Sequence, residues 1–186
     1  MIRIANPAKL LAALALVAAT GCKQKAQLSD DSVTTAASAN ATVSAVDSSL
    51  VLSLERGPCR GMCPVYRVEV YGDGRVHFDG KQHVGSLGAQ TGVAPTSEVQ
   101  ALLRAIQSSE FSSVDTLFEM GSAGCGQYMA DLPTSKLSAK LGMQMKTVHL
   151  DPGCQNAPRF LRTLEAQVDS VARTAQWIAG KGDAAK

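Results

Sequence analysis

The chain has 186 residues, and its 18 Lys and Arg residues against 16 Asp and Glu residues give a formal net charge of +2 at pH 7. A charge this close to zero, with no clustered basic patch, excludes nucleic acid as the expected partner. The stretch with a core-forming pattern, about residues 50–178, is long enough for one domain and too short for two.

The first 21 residues predict a cleaved signal peptide. Arg3 and Lys9 precede an apolar run over residues 10–19, and small residues follow it. The run is about ten residues long, whereas a membrane-spanning helix needs about twenty. Removal of residues 1–21 takes both basic residues away and leaves 16 basic against 16 acidic residues. The mature chain therefore has a formal charge of zero.

The tetrapeptide Ala19-Thr20-Gly21-Cys22 resembles the lipobox of bacterial lipoproteins, which usually has Leu or Val in place of Ala19. The resemblance implies cleavage before Cys22, a diacylglycerol on its sulfur and a further acyl chain, such as palmitate, on its amino group. Two or more chains anchor a protein stably. Lys23 stands where the inner-membrane retention signal of enteric lipoproteins has Asp, so we expect an outer-membrane anchor facing the periplasm. An ordinary secretory signal ending in a chance cysteine is the alternative.

Residues 22–49 predict the lipidated cysteine followed by a flexible tether. The tether is rich in Ser, Thr, Ala and Asp and has hardly any large apolar residue. Such a segment buries too little surface to offset the entropy cost of ordering it. Residues 179–186 are likewise expected to form a disordered tail.

Alternating residues predict the first strands. Leu50, Leu52 and Leu54 lie on one face of an extended segment, since side chains alternate along a strand. Residues 66–78, YRVEVYGDGRVHF, alternate on both sides of Gly72-Asp73-Gly74. This pattern predicts a hairpin with a primed turn, because glycine adopts positive φ without a Cβ clash. A further strand is expected over about residues 81–92.

Residues 95–111 predict an amphipathic helix. Pro95 is expected at the first helical position. The apolar residues that share one helical face are Val99, Leu102, Leu103 and Ile106.

The remaining chain predicts a second hairpin and a second helix. Residues 135–150 alternate around a turn near Gly142, and Pro152-Gly153 ends the strand. The helix begins at about Ala157, and Trp177 and Ile178 close it as an apolar cap. The apolar residues on one face of this helix are Phe160, Leu161, Leu164, Val168 and Val171. The order of strands, helix, hairpin and helix predicts an α+β fold, an antiparallel sheet of two hairpins plus flanking strands with both helices packed on one face.

Three segments carry a resemblance to a known family. They are RGPCRGMCPVYRVEVYGDGRV, DLPTSK and PGCQNAPRFLRTLEAQVDSVARTAQWI, and together they are similar to an uncharacterised family of bacterial envelope and lipoprotein domains, the domain of unknown function numbered 6438. The likeness covers residues 50–178. Its most specific part is an Arg-Gly-Pro-Cys-x-Gly-x-Cys-Pro-x-Tyr motif, matched here by Arg56, Gly57, Pro58, Cys59, Gly61, Cys63, Pro64 and Tyr66. The resemblance supports the bounds of the domain and implies no catalytic residue.

Four cysteines remain once Cys22 is assigned to lipid, and an even number in an oxidising compartment favours disulfides. Cys59 and Cys63 share a tight loop, while Cys125 and Cys154 lie just before and just after the second hairpin. We therefore favour the pairs Cys59–Cys63 and Cys125–Cys154, although a crossed pairing stays open. By loop entropy the short bridge contributes about 2 kcal/mol and the long one about 3.5 kcal/mol.

A redox or metal-binding role for the cysteines is the alternative. A redox couple usually has Cys-x-x-Cys at a helix N-terminus, whereas here the spacing is longer and a strand follows. A zinc site tolerates the Cys59 to Cys63 spacing, but Cys125 and Cys154 stand alone in the sequence. Met143-Gln144-Met145 near His149 resembles a thioether copper site, although methionines more often fill gaps in a core.

The sequence therefore predicts a lipid-anchored binding or structural module rather than an enzyme. No nucleophile elbow, zinc-protease motif or phosphate-binding loop occurs. We expect no cofactor besides the covalent lipid on Cys22, and a partner that is an envelope protein or a cell-wall component. The partner would meet the open face of the sheet or the glycine-rich loop around Cys125. Arg60 and Met62, held outward by the ring, are candidate partner contacts.

Overall fold

A computed structural model describes residues 47–179 of the protein. The predicted signal peptide 1–21, the lipidation site Cys22 and nearly all of the predicted tether and tail lie outside the described residues. Within residues 47–179, no helix combines the length and the apolar character needed to cross a membrane.

These residues form an α+β fold. The strands are β1 Leu50–Arg56, β2 Val65–Tyr71, β3 Arg75–Gln82, β4 Gly88–Val93, β5 Leu117–Phe118, β6 Ser135–Leu141 and β7 Gln144–Leu150. The helices are α1 Thr96–Gln107, α2 Arg159–Ala172 and the short α3 Ala175–Ile178, with a 3₁₀ turn at Glu110–Ser112.

The strands make one sheet in the order β4-β3-β2-β1-β6-β7-β5. Every neighbouring pair is antiparallel except β5 and β7, which are parallel. The predicted fold class, including both hairpins and their flanking strands, is confirmed. The two-residue strand β5 and the 3₁₀ turn were not predicted, because segments this short show no hydrophobic period.

The hydrophobic core lies between the sheet and the two long helices. On β1, Leu54 pairs with Val68 of β2 and Leu137 of β6, and all three side chains are buried. The predicted apolar faces of both helices pack against this layer. Trp177, the predicted apolar cap, stacks on Phe78 with 5.0 Å between ring centroids. Both helices therefore cover one face of the sheet and leave the other face open.

The structure corrects the expected turn between β2 and β3. Residues 72–74 form a three-residue connection in which Gly74 alone has positive φ, at 90°. Gly74 donates its backbone N–H to the carbonyl oxygen of Tyr71 at 2.9 Å, which closes the turn. A primed two-residue turn would require positive φ at its first central residue, and type I′ at both, whereas neither Gly72 nor Asp73 has positive φ. The hairpin itself is confirmed.

Further boundaries differ from the prediction. The first helix ends at Gln107 rather than near residue 111, and the second ends at Ala172, where Arg173 has a φ of 56° before the short α3. Pro95 precedes α1 as its N-cap, with ψ of 125°, rather than occupying the first helical position. Proline has no N–H to donate and suits either position. The strand expected over residues 81–92 begins only at Gly88, because β3 runs on to Gln82 and a turn follows at residues 83–87.

The connections at the two ends of the sheet are unequal. One end, the tight-turn end, has the short turns at 72–74 and 142–143, and there the chain enters β1 from Asp47. The other end, the long-loop end, gathers the connections 57–64, 83–87, 119–134 and 151–158. Long loops on a rigid sheet are the usual place for binding residues. The long-loop end also holds all four cysteines of the described residues.

The glycines of the two hairpin turns give a matched pair of substitutions. Gly74 and Gly142 both have positive φ, at 90° and 62°. A Cβ at Gly142 meets open space, whereas one at Gly74 meets the carbonyl oxygen of Ala94. We expect Gly142→Ala to cost about 1 kcal/mol of unfolding free energy from its left-handed conformation alone. Gly74→Ala should cost at least about 1 kcal/mol more because of the backbone contact. Urea unfolding of both variants checks this, and equal losses would contradict the turn geometry.

Candidate functional site

The Cys59–Cys63 disulfide closes a five-residue ring at the long-loop end. Two residues before it, Gly57 donates its backbone N–H to the carbonyl oxygen of Thr134 at 2.7 Å. Arg60 donates its backbone N–H to the carbonyl oxygen of Asp131 at 3.4 Å and its Nη1 to the Asp131 carboxylate at 3.1 Å. The ring is thus held against the loop that precedes β6.

The ring directs its two predicted partner contacts into solvent. The side chain of Arg60 is 81% exposed, and Met62 is 82% exposed. A ring closed by a disulfide has few backbone conformations, so it presents both side chains with little entropy left to lose on binding. Whether a partner contacts them stays a prediction.

The Cys125–Cys154 disulfide lies at the same end but in the interior. The cysteines are 1% and 0% exposed. The bond joins the loops 119–134 and 151–158, which also share a bridge between Tyr128 and Cys154. Met129 donates its backbone N–H to the carbonyl oxygen of Gly153 at 2.9 Å. The structure therefore pairs the four cysteines as the sequence analysis favoured, and this second pair fixes the base of the long-loop end.

A buried carboxylate completes that base. Asp151 accepts the Gly153 N–H at 2.8 Å through one oxygen and the Tyr128 hydroxyl at 2.9 Å through the other. The hydrogen bond from Tyr128 to this carboxylate raises the pKa of the tyrosine above its ordinary value. Tyr128 therefore keeps its proton and stays a donor across the neutral pH range.

Large apolar side chains are exposed around this base. Those on the loops 57–64 and 119–134 are Met62, Met120, Tyr128, Met129 and Leu132. Methionine adapts its shape to different surfaces, and both methionine and aromatic residues are enriched in protein interfaces. The composition of this end is therefore typical of a surface that contacts another protein.

The motif residues Arg56 and Tyr66 have a different place, inside the fold. Arg56 donates Nη2 to Asp169 at 2.7 Å and Nη1 to Glu165 at 3.1 Å, and both carboxylates belong to α2. The Tyr66 hydroxyl donates to Asp169 at 2.6 Å and accepts a hydrogen bond from Arg56 Nε at 2.9 Å. We call this set, with Ser135 and Thr174, the Arg56 network.

The remaining members add hydrogen bonds to the two carboxylates, Ser135 at the Glu165 oxygen that Arg56 does not contact and Thr174 at the Asp169 oxygen that also accepts the Tyr66 hydroxyl. Ser135 donates to Glu165, and Thr174 donates to Asp169 at 2.9 Å. Within residues 47–179, no buried side-chain nitrogen or oxygen lacks a hydrogen-bond partner. A partly buried ion pair is tolerated under that condition, since its hydrogen bonds offset the loss of hydration.

The network also sets the protonation of its members. Burial by itself would lower the pKa of Arg56, yet Asp169 and the neighbouring groups raise it above its ordinary value. Burial and the Asp169 carboxylate both raise the pKa of Tyr66. Arg56 is therefore charged and Tyr66 a hydrogen-bond donor at neutral pH, and both link the first two strands to α2.

Sequence reasoning did not find Glu165 and Asp169. A signal was present, because the two carboxylates are four residues apart and so share a face of α2. Glu165 also lies within the apolar face of that helix, between Leu164 and Val168. An acidic residue on a buried face requires a cationic partner, and Arg56 of the motif is the one that the fold supplies.

The open face of the sheet has charges that pair with each other. Glu55 lies 3.8 Å from Arg67 and 3.5 Å from Lys136, on the strands to either side. Arg67 also pairs with Glu69 at 2.7 Å, and Asp79 pairs with Lys81. A shallow hollow of about 470 Å³ crosses β2 to β4 on this face. Whether a partner meets this face or the long-loop end stays a prediction.

The methionines and the histidine considered for metal binding do not lie close together in the structure. Met143 and Met145 lie at the tight-turn end, whereas His149 lies four residues further along β7, about 13 Å from Met145 at the rise of a strand. All four cysteines of the described residues are in disulfides, so none is a thiolate ligand in this state. In residues 47–179 no group of three or more His, Cys, Asp or Glu side chains is placed to hold a metal ion.

The fold and its long-loop end define a disulfide-containing α+β protein with a seven-stranded sheet covered on one face by helices. Residues 50–172 match the family described as a domain of unknown function, DUF6438. The match covers about two thirds of the chain, and the protein belongs to this family. No curated protein matches the chain.

The Arg56 network predicts unequal effects for two tyrosines of the same strand. Tyr66→Phe removes a hydroxyl that links Arg56 to Asp169, and we expect it to lower the unfolding free energy by about 1–3 kcal/mol. Tyr71→Phe is the matched control, because its hydroxyl makes one 3.3 Å hydrogen bond to Glu69. We expect Tyr71→Phe to lower the unfolding free energy by less than about 0.5 kcal/mol. Denaturant unfolding measures both, and equal losses would show that the network does not hold α2.

Proposed function

We propose that this protein is a lipid-anchored envelope domain that faces the periplasm, binds a partner through its long-loop end and catalyses no reaction. The observation that carries the proposal is the Cys59–Cys63 ring, which presents Arg60 and Met62 almost fully exposed on a backbone fixed by Asp131 and Thr134. The family assignment and the disulfides agree with an envelope module, since disulfides persist in oxidising compartments.

The position of the chain entrance supports the choice of this end. The chain reaches β1 at Asp47, where Lys140 donates to the Asp47 carboxylate at 2.7 Å. This contact lowers the pKa of Asp47, so its charge persists into the acidic range. The long-loop end lies at the other end of β1, about 20 Å away at the rise of a seven-residue strand. An anchor on Cys22 would leave the long-loop end free to meet a partner.

The chemistry of the long-loop end favours a protein of the envelope as the partner. Exposed Met62, Met129 and Leu132 gain from contact with apolar surface. Cell-wall glycans are polar and offer less such surface. Arginine beside methionine is a combination that protein interfaces favour.

The anchor is tested by Cys22→Ser in a bacterial host that expresses the full chain. We expect the variant to move from the membrane fraction to the soluble periplasmic fraction, because serine has no thiol to accept the diacylglycerol. Lys23→Ala is the matched control and should stay in the membrane. Mass spectrometry of the wild-type protein should show a chain that begins at Cys22 and carries lipid. Membrane retention of Cys22→Ser would contradict lipid anchoring.

The binding surface is tested by placing a photo-crosslinking residue at Met62 in cells. Met143 is the matched control, a methionine that is 98% exposed at the tight-turn end. We expect a discrete protein adduct from position 62 and none from position 143. Identical adducts from both positions, or none from position 62, would contradict binding through the ring. Adducts with cell-wall fragments would reassign the partner class.

A further inference from the structure

The two disulfides of the long-loop end differ in their access to solvent. Cys125 and Cys154 are buried, as given above, whereas Cys59 and Cys63 are both partly exposed. The residues inside the ring are exposed as well. Thiol–disulfide exchange requires an incoming thiolate to reach one sulfur of the bond directly. Only the ring disulfide meets this condition among the described residues.

The two sulfurs of the ring also differ from each other. Gly61 donates its backbone N–H to Cys59 Sγ at 3.2 Å, across the interior of the ring. A hydrogen bond of this kind stabilises negative charge on the sulfur that receives it. When the bond breaks, charge develops on the leaving sulfur, and a more stable leaving thiolate departs faster. Cys59 is therefore the leaving group, and Cys63 is the sulfur that is attacked.

From these two asymmetries we propose that Cys59–Cys63 is a thiol–disulfide exchange site that reacts stoichiometrically, without catalytic turnover, with a dithiol. A thiolate of the dithiol attacks Cys63 Sγ and forms a mixed disulfide, and the electron pair of the old bond passes to Cys59 Sγ. The second thiol of the dithiol then attacks the sulfur that the dithiol contributed to the mixed disulfide, and Cys63 leaves. The dithiol is oxidised to a disulfide, and its two protons and two electrons are left on Cys59 and Cys63.

Reduction has a local effect in this structure. The hydrogen bond between Gly57 and Thr134 lies outside the ring, and so does the Arg56 network. Both remain when the ring opens, and so does the buried Cys125–Cys154 bond. The exchange therefore releases the backbone that presents Arg60 and Met62 without loosening the sheet. Its effect on a partner rests on the proposed function, whereas the exchange itself does not.

The first experiment compares the two disulfides within one molecule. The purified mature protein is treated with graded dithiothreitol under native conditions, alkylated with N-ethylmaleimide and mapped by peptide mass spectrometry. We expect Cys59 and Cys63 to be alkylated at least tenfold faster than Cys125 and Cys154. Equal rates, or faster reaction of the buried pair, would overturn the proposal. No partner is present, so failure here leaves the proposed binding function to be judged by the crosslinking at Met62.

The second experiment tests which sulfur is attacked. The protein is treated briefly with glutathione and quenched with N-ethylmaleimide, and we expect glutathione on Cys63 and the alkyl group on Cys59 in at least tenfold excess over the reverse. Gly61→Pro removes the N–H donor and should abolish this preference. Gly61→Ala is the matched control, because it keeps the N–H and its Cβ would lie 3.8 Å from Cys59 Sγ. Equal adducts on the two cysteines of the wild-type protein would overturn the assignment of Cys59 as leaving group.

Discussion

The guanidinium of Arg56 connects the parts of this structure that are far apart in the sequence. It stands at the last residue of β1 and donates to Glu165 and Asp169, which are 109 and 113 residues further along the chain. A guanidinium suits this place because its planar donors reach two carboxylates at once. Its partners fix α2 on the sheet, and α2 in turn packs against α1. The helical layer therefore depends on the guanidinium of Arg56, whose partial burial requires its ion pairs with the two carboxylates.

The residue after Arg56 in the chain ties the start of the ring to the neighbouring strand. Gly57 follows Arg56 directly, and its N–H bonds Thr134 at the start of the neighbouring β6. A Cβ at Gly57 would meet the Thr134 side chain, so a larger residue here would have to displace that side chain. The motif from Arg56 to Tyr66 thus contains residues with two structural roles. Arg56 and Tyr66 hold the fold from inside, while Arg60 and Met62 are presented outside.

Local patterns predicted the sheet and helices because the burial of one face leaves a period in the sequence. The alternation around Gly72 to Gly74 and around Gly142 located both hairpins, and the spacing from Val99 to Ile106 located α1. Long-range pairs leave no such period, which is why Glu165 and Asp169 were missed although Arg56 and Tyr66 had been singled out. The detail of the turn at Gly74 was also missed, because the choice between two and three loop residues depends on strand register.

At the long-loop end, the two disulfides add to the restraints that the Arg56 network and the Gly57–Thr134 hydrogen bond impose. The loops there contribute few residues to the main core, so a buried bond between Cys125 and Cys154 supplies the cohesion that apolar packing gives elsewhere. The ring disulfide adds nothing to that base, since Gly57 and Asp151 are held by hydrogen bonds independent of it. A chemical change at the ring sulfurs can therefore alter how the surface is presented while the scaffold beneath it stays intact. Under the two proposals made above, the rigid base stays fixed while the exposed ring follows the thiol balance of its compartment.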